Sequence, residues 1–422
     1  MKKIFNKTFL LLIIFIALFI GIRSLHYIFQ VNWSGDQAFC GTEALRIFKN
    51  RIITFIGPQI SANYEGRFIF QGPIIYYMYL FFLLLGKWDP IPSSYYFMVF
   101  CAIMIIPLFY GTKKLINEKS AWIMIIVYSF LPYYINYTRF LWNSTFLLSL
   151  LPLLIFFMGL YKEKKNQKLG LFFLISFWLG LLLQFHYQFI LIVGGIFVYY
   201  FFVKKIKPVN IVIFFGGIIF GFFPLIIFEL RHQFYHIHTI LLFIQNWNKV
   251  DKPGGITMPH YYIAPSFMLL IMFLGLISKT INKAKYYLII IFGLIIFLYG
   301  FLNNINKPVH AFWAPTTPWN YLDEKKIYEV IQSTHLKNDF NVANLAYYDS
   351  ISYVVKYFMK RDGYNINYDD YYNNKYLFVI SEKDGYLSAK SYEVATFKPN
   401  KLLNKWKIND RFNMFLLERL NK

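Results

Sequence analysis

The chain has 422 residues, 57% of them hydrophobic and 22% aromatic, with a mean hydropathy of +0.43, which excludes an ordinary soluble domain and calls for repeated membrane spans. The net charge of +22 is no sign of nucleic-acid binding, because many lysines stand in short connections between apolar stretches, as the positive-inside rule requires. The cysteines, Cys40 and Cys101, support neither a disulfide framework nor a thiolate metal site.

Met1-Lys2-Lys3 followed by apolar Phe9 to Ile22 resembles a signal peptide, yet no small-x-small cleavage site precedes Arg23. A retained first helix with a cytoplasmic N-terminus is expected over residues 8–28. Further apolar segments run over 68–86, 95–112, 120–136, 144–161, 169–184, 188–203, 209–229, 262–279 and 286–302. The basic connections Lys113-Lys114 to Lys119, Lys162 to Lys168, Lys204 to Lys207 and Lys279 to Lys285 are assigned to the cytoplasm. Residues 137–143, 185–187, 230–261 and everything after 303 then fall outside. With residues 8–28 leading outward, only one of 68–86 and 95–112 crosses. Segment 68–86 opens with Gln71-Gly72-Pro73 and closes with Lys87-Trp88-Asp89-Pro90, so it is expected to be re-entrant or surface-lying within a first outer loop, 29–94. Were it to span, there would be ten crossings and a cytoplasmic C-terminus.

Beyond residue 303 the apolar runs shorten and charges mix. Leu322 to Thr334 and Ser350 to Met359 read as amphipathic helices, and 376–380 and 412–417 as strands. The expected fold class is a polytopic α-helical membrane protein, about nine spans plus one re-entrant segment over residues 1–302, with a small extracytoplasmic α/β domain over 303–422. No internal repeat stands out, and there is no inverted pair of interrupted helices of the kind many transporters carry.

Residues 1–302 hold eight acids: Asp36, Glu43, Glu65, Asp89, Glu118, Glu163, Glu229 and Asp251. A membrane enzyme needing a general base draws it from this set. Asp36, in Trp33-Ser34-Gly35-Asp36-Gln37-Ala38, opens a helical stretch from Gln37 to Lys49 just beyond the first span. It suits a helix N-cap, and a helix N-terminus also attracts phosphate. Arg67, Arg139 and Arg231 fall at the outer ends of apolar segments, where guanidinium groups match phosphate oxygens or anchor to headgroups and backbone carbonyls. His186-Tyr187 and His232 place polar rings at the same interface, and Asn143 is an oxygen ligand or a cap of the following helix. His236 and His238, two apart, do not share a helix face, and no other metal pattern is present. No glycine-rich phosphate loop, Ser-His-Asp order or zinc-protease helix occurs.

Taken together, several motifs resemble the GT-C membrane glycosyltransferases, nearest the family 39 branch of protein O-mannosyltransferases and aminoarabinose lipid A transferases. They are Asp36 after the first helix, Gly57-Pro58, Phe70-Gln71-Gly72-Pro73-Ile74-Ile75-Tyr76-Tyr77, Tyr137-Thr138-Arg139-Phe140-Leu141-Trp142-Asn143, Gln184-Phe185-His186-Tyr187 and the terminal outer domain. The resemblance covers roughly residues 1–302. It implies a polyprenyl-phosphate monosaccharide donor, a lipid, glycan or protein acceptor on the outer face of the plasma membrane, and inverting transfer with Asp36 as base. Arg67, Arg139 and Arg231 are the implied donor phosphate contacts, and Gln37, Gln71, Asn143, His186, Tyr187 and His232 the implied substrate contacts. Related enzymes often carry Asp-Glu where this chain has Asp36-Gln37, and an Asp in the second loop where it has Asn143, so a divalent metal is left open. Competing readings are a transporter or flippase for lipid-linked sugars, or a polymerase or ligase for them.

Overall fold

A computed structural model describes residues 2–163, 169–203, 207, 209–250, 262–278, 291–299, 301–302, 319–346, 349–368, 370–382, 384–387 and 389–420. The first span is α1 (Lys2–Ser24). A short helix α2 (Tyr27–Gln30) leads to α3 (Gly35–Asn50), the helix expected after Asp36. Then come a hairpin of β1 (Gln59–Tyr64) and β2 (Arg67–Phe70) and the 12-residue α4 (Ile74–Leu85). The hairpin departs from the helix expected at the start of segment 68–86. Its turn is Glu65-Gly66, both at positive φ (50° and 73°), the backbone that a two-residue hairpin turn demands. Segment 68–86 is thus part strand and part helix, and 12 residues rise only about 18 Å, less than a hydrocarbon core.

The helices α5 (Pro90–Ile103) and α6 (Ile105–Leu115) continue one another across Met104. After them come α7 (Glu118–Phe130), α8 (Pro132–Asn136), α9 (Asn143–Glu163), α10 (Leu169–Leu183) and α11 (Ile190–Val198). Among the described residues, Lys7–Ser24, Pro90–Leu115 and Asn143–Glu163 are long and apolar enough to cross a membrane. The span expected over 209–229 is instead two helices, α12 (Val209–Gly221) and α13 (Phe223–Arg231), bent by 73°. Pro224 in the first turn of α13 brings no N–H and so breaks the ladder there. They lead to α14 (Tyr235–Gln245) and α15 (Ile263–Ile277). Helices α10 and α12 pack backbone to backbone: a side-chain carbon on Gly180 would lie 2.3 Å from the Ile218 carbonyl, and one on Gly221 2.1 Å from that of Phe177.

The C-terminal part holds α16 (Tyr321–Ser333), β3 (Phe340–Asn344), α17 (Tyr353–Arg361), β4 (Tyr376–Glu382), β5 (Asn400–Lys407) and β6 (Phe412–Arg419). Its sheet runs β3-β4-β6-β5, with β3 and β4 parallel and the other pairs antiparallel. It packs on α3. Trp33 meets Tyr357 at 5.1 Å between ring centroids, the Tyr357 hydroxyl donates to the Trp88 carbonyl at 2.9 Å, and the Tyr368 hydroxyl donates to Thr42 Oγ1 at 2.8 Å.

The first span is locked by Arg23, which is fully buried. Pro132 cannot donate to the Tyr128 carbonyl four residues back, and Arg23 Nη2 does so instead at 3.2 Å. Nη1 reaches the Ser129 carbonyl at 2.8 Å, and Nε reaches Thr138 Oγ1 at 2.6 Å. The guanidinium also lies 3.3 Å from the centroid of the Phe19 ring. Replacing Arg23 by Ala strands these acceptors at about 1–3 kcal/mol each. The variant is expected to melt well below the parent in detergent, with Arg23→Lys recovering only part of the loss because an ammonium cannot fork across the two carbonyls.

Candidate active site

Asp36 occupies the first turn of α3, where the positive end of the helix dipole favours a carboxylate. The turn is built by its neighbours: Gln37 Oε1 accepts from the Ser34 backbone N–H at 3.1 Å and from its hydroxyl at 2.5 Å. Gln37 is buried and occupied with this cap. Asp36 is open to solvent yet crowded by protein on its other sides. That crowding pushes its carboxyl pKa up, and a hydrogen bond from Trp142 pulls it partly back.

Trp142 belongs to the loop before α9, and its neighbour Asn143 ties the same loop to the hairpin. Asn143 Nδ2 donates to Gln71 Oε1 at 3.0 Å, while its Oδ1 accepts the Ser144 N–H at 2.8 Å in the first turn of α9. Gln71 is buried, and its main chain is paired at both groups, with Gly57 N–H at 2.7 Å and the Pro58 carbonyl at 2.9 Å. The Gly72 N–H donates to the Gln184 carbonyl at 2.9 Å, and Gln184 Nε2 reaches the Gly221 carbonyl at 2.6 Å. One chain of hydrogen bonds therefore runs from the second loop through the hairpin base to the α12–α13 break.

The hairpin's outer edge is closed by side chains. The Phe70 N–H donates to His236 Nε2 at 3.0 Å, the Phe68 N–H to the Tyr235 hydroxyl at 3.3 Å, and the Tyr187 hydroxyl bonds the Phe70 carbonyl. His236 Nδ1 faces Glu229 Oε1 at 2.6 Å, so an imidazole accepting at Nε2 carries its proton toward the carboxylate. His236 is thereby committed to holding β2. His186 Nδ1 accepts the Gln188 N–H at 3.3 Å, and burial lowers its pKa to about 4, which keeps the ring neutral at physiological pH. His232 stacks on Phe228 at 4.2 Å, with Nδ1 2.9 Å from the Phe228 carbonyl.

The three arginines have different surroundings. Arg139 is buried, with Nη2 donating to the Ile22 carbonyl at 3.2 Å, as a span-end anchor does, and Nε without a hydrogen-bond partner. Arg67 is exposed at the hairpin turn, and Arg231 is exposed with its guanidinium 5.7 Å from the centroid of Phe55. Of the acids singled out by scarcity, five are already engaged. Glu43 pairs with Arg46 at 2.8 Å, Glu118 with Lys113 at 2.7 Å, Glu163 with Lys114, and Glu229 with His236, while Asp89 caps α5 through the Ile91 N–H at 2.9 Å. Glu65 sits in the exposed hairpin turn, and Asp251 lies outside the described residues. Among the described residues no group of three or more His, Cys, Asp or Glu converges as a metal site would.

Sequence reasoning passed over the partners. Trp142 carries no charge, and Asp349 lies beyond residue 302, where acids are common and scarcity selects nothing. Asp349 packs against Gly35: a side-chain carbon placed on Gly35 would meet the Asp349 carboxyl carbon at 3.4 Å.

The fold is similar to three solved structures. The crystal structure of ArnT from Cupriavidus metallidurans in the apo state matches with a TM-score of 0.57 and 9% identity, over 97% of this chain and 97% of that one. ArnT from the same organism bound to undecaprenyl phosphate matches at 0.54 and 9%, over 97% and 98%. The Archaeoglobus fulgidus oligosaccharyltransferase in complex with zinc and sulfate matches at 0.51 and 9%, over 96% and 72%. No family model matches the sequence, and neither does any curated protein. The chain has the GT-C membrane fold over nearly its whole length.

If the Trp142 indole holds Asp36 in its ionised form, Trp142→Phe raises the Asp36 pKa further. Infrared titration of the carboxyl, with Asp36→Asn as the blank, should show the shift upward; an unchanged titration would remove Trp142 from the site.

Proposed function

We propose that this chain is an inverting glycosyltransferase that moves a monosaccharide from a polyprenyl-phosphate donor to an acceptor hydroxyl on the outer face of the membrane, with Asp36 as general base. The observation that carries the reading is the position of Asp36. Within a GT-C fold, it is the acid of the first outer loop that is exposed, aligned with a helix N-terminus and held by the second loop, while five of the other scarce acids are committed to ion pairs or a cap. Undecaprenyl phosphate bound to the ArnT neighbour supports a polyprenyl-phosphate donor.

In the reaction, the acceptor hydroxyl gives its proton to the Asp36 carboxylate as its oxygen bonds to the anomeric carbon from the face opposite the leaving group. The bond from that carbon to the phosphate oxygen breaks, and the electron pair departs on the lipid phosphate. That developing charge needs donors and cations. Arg67 and Arg231, both exposed, are available for it, whereas Arg139 is buried with Nη2 on a backbone carbonyl. In this reading Gln71, Asn143, neutral His186, Tyr187 and His232 are the hydrogen-bonding contacts for the sugar, and Gln37 serves the site through the cap of α3. The exposed apolar faces, among them Phe9, Leu10 and Ile13 on α1, suit a lipid tail and the bilayer alike. The C-terminal α/β part, seated on α3, belongs on the same outer side in this reading.

Asp36→Asn is expected to lower transfer from a polyprenyl-phosphate sugar in membrane vesicles by at least about 100-fold while leaving the protein folded. Retained transfer would sink the assignment of the base. Because the base works only when ionised and its pKa is raised, the parent's rate should fall with acidity at a pH above the ordinary aspartate range.

A further inference from the structure

Asp349 precedes α17 and is 7% exposed. Its carboxyl accepts the backbone N–H groups of Tyr353 and Val354 at the start of that helix, while Oδ2 is buried with no hydrogen-bond partner. The same carboxyl lies against Gly35, its oxygens 3.5 and 3.6 Å from where a side-chain carbon would stand. Asp36 is the next residue. Two carboxylates from distant parts of the chain thus approach one turn of α3, each at the start of its own helix.

A carboxylate is not needed to accept two N–H groups, because an Asn carbonyl would serve. What only Asp supplies is charge that can be switched, and with one oxygen unpartnered that charge is only partly offset, by Lys356 and the two N–H groups. We propose that Asp349 is a positioning residue for the base: its ionisation raises the proton affinity of Asp36 through space and so strengthens Asp36 toward the acceptor hydroxyl. The proposal rests on Asp36 being the base. The proton passes from the acceptor oxygen to Asp36 alone, and Asp349 exchanges none with the substrate.

The surrounding groups are consistent with a single coupled pair. Asp349 faces Lys356 on α17, which favours its ionised form, Asp36 on α3, which opposes it, and the Tyr368 hydroxyl. Asp36 faces the Trp142 donor, Cys40 one turn further along α3, and Tyr79 on α4. Lys356 itself is held by the Tyr368 carbonyl at 3.0 Å and the Tyr371 hydroxyl at 2.9 Å, so its charge is fixed in place. Burial, outweighing the two N–H groups and Lys356, lifts the Asp349 pKa to about 6. Below that pH the pair carries one negative charge at most, and above it two.

The test is an infrared titration of the full-length protein in detergent, with Asp36→Asn and Asp349→Asn assigning the two carboxyls, alongside a pH profile of transfer. In Asp36→Asn the Asp349 carboxyl should titrate at lower pH, because the opposing charge is gone. In Asp349→Asn the profile should lose its inflection near pH 6, with kcat above it lower by about tenfold and KM unchanged. An Asp349 titration identical in the parent and Asp36→Asn overturns the proposal, as does an Asp349→Asn variant that melts lower but keeps the parent profile. The Asp36→Asn titration carries the test by itself should Asp349→Asn not fold. It needs no turnover, so a failure of coupling is distinct from a failure of Asp36 as base, which shows as retained transfer in Asp36→Asn.

Discussion

A backbone carbonyl in the membrane must find a donor within the protein, since no water is at hand to supply one. This structure interrupts its helices repeatedly, and two of the interruptions strand such carbonyls. At the α7–α8 corner the stranded groups are those of Tyr128 and Ser129, and Arg23 reaches across from α1 to satisfy them. At the α12–α13 bend it is Gly221, satisfied by Gln184. The Leu141 carbonyl, ahead of α9, takes the Tyr79 hydroxyl of α4 at 2.7 Å. Arg23 and Gln184, two polar side chains buried in this apolar chain, are the complement of its helix breaks.

The breaks in turn place the site. Because Gln184 is bound at both its side chain and its main chain, the α12–α13 bend and the hairpin base are held in register, and the hairpin base holds Asn143. Asn143 sits beside Trp142, which reaches Asp36. The carboxylate is thus fixed from three directions: by its own helix, by the second loop, and by the C-terminal part packed over α3.

Much of this was legible in the sequence. Apolar runs and lysine-rich connections marked the helices; the scarcity of acids isolated Asp36; the Gln37 and Asn143 departures pointed away from a second carboxylate at those two positions. Other features were hidden for physical reasons. Strand β5 is an exposed edge bearing Lys401, Lys405 and Lys407, the composition that keeps edges from pairing with other chains, so it lacks an apolar signature. Strand β3 buries Asn341 and Asn344, polar residues that pattern reading sends to a loop; Asn341 Nδ2 is satisfied by the Asp370 carbonyl at 2.8 Å. The bend at Phe222 looks like one apolar run because both arms are hydrophobic, with only Pro224 hinting at the corner. Arg139, placed at a span end by the loop signs, is at that end, but its guanidinium turns inward to the α1 carbonyls, a choice that depends on tertiary packing.

The arginine lock on α1 has a mechanical consequence. A lone Arg near the end of a span ordinarily stretches its side chain toward the interface and lets the helix ride up or down with the bilayer. Arg23 is spent on the carbonyls of a neighbouring helix, so α1 cannot slide independently of the bundle, and Asp36 follows it after a short stretch of chain. The height of the carboxylate is therefore set by a ruler inside the protein. In thinner or thicker membranes the lipid has to adapt to the molecule, and the Asp36 carboxylate keeps its station.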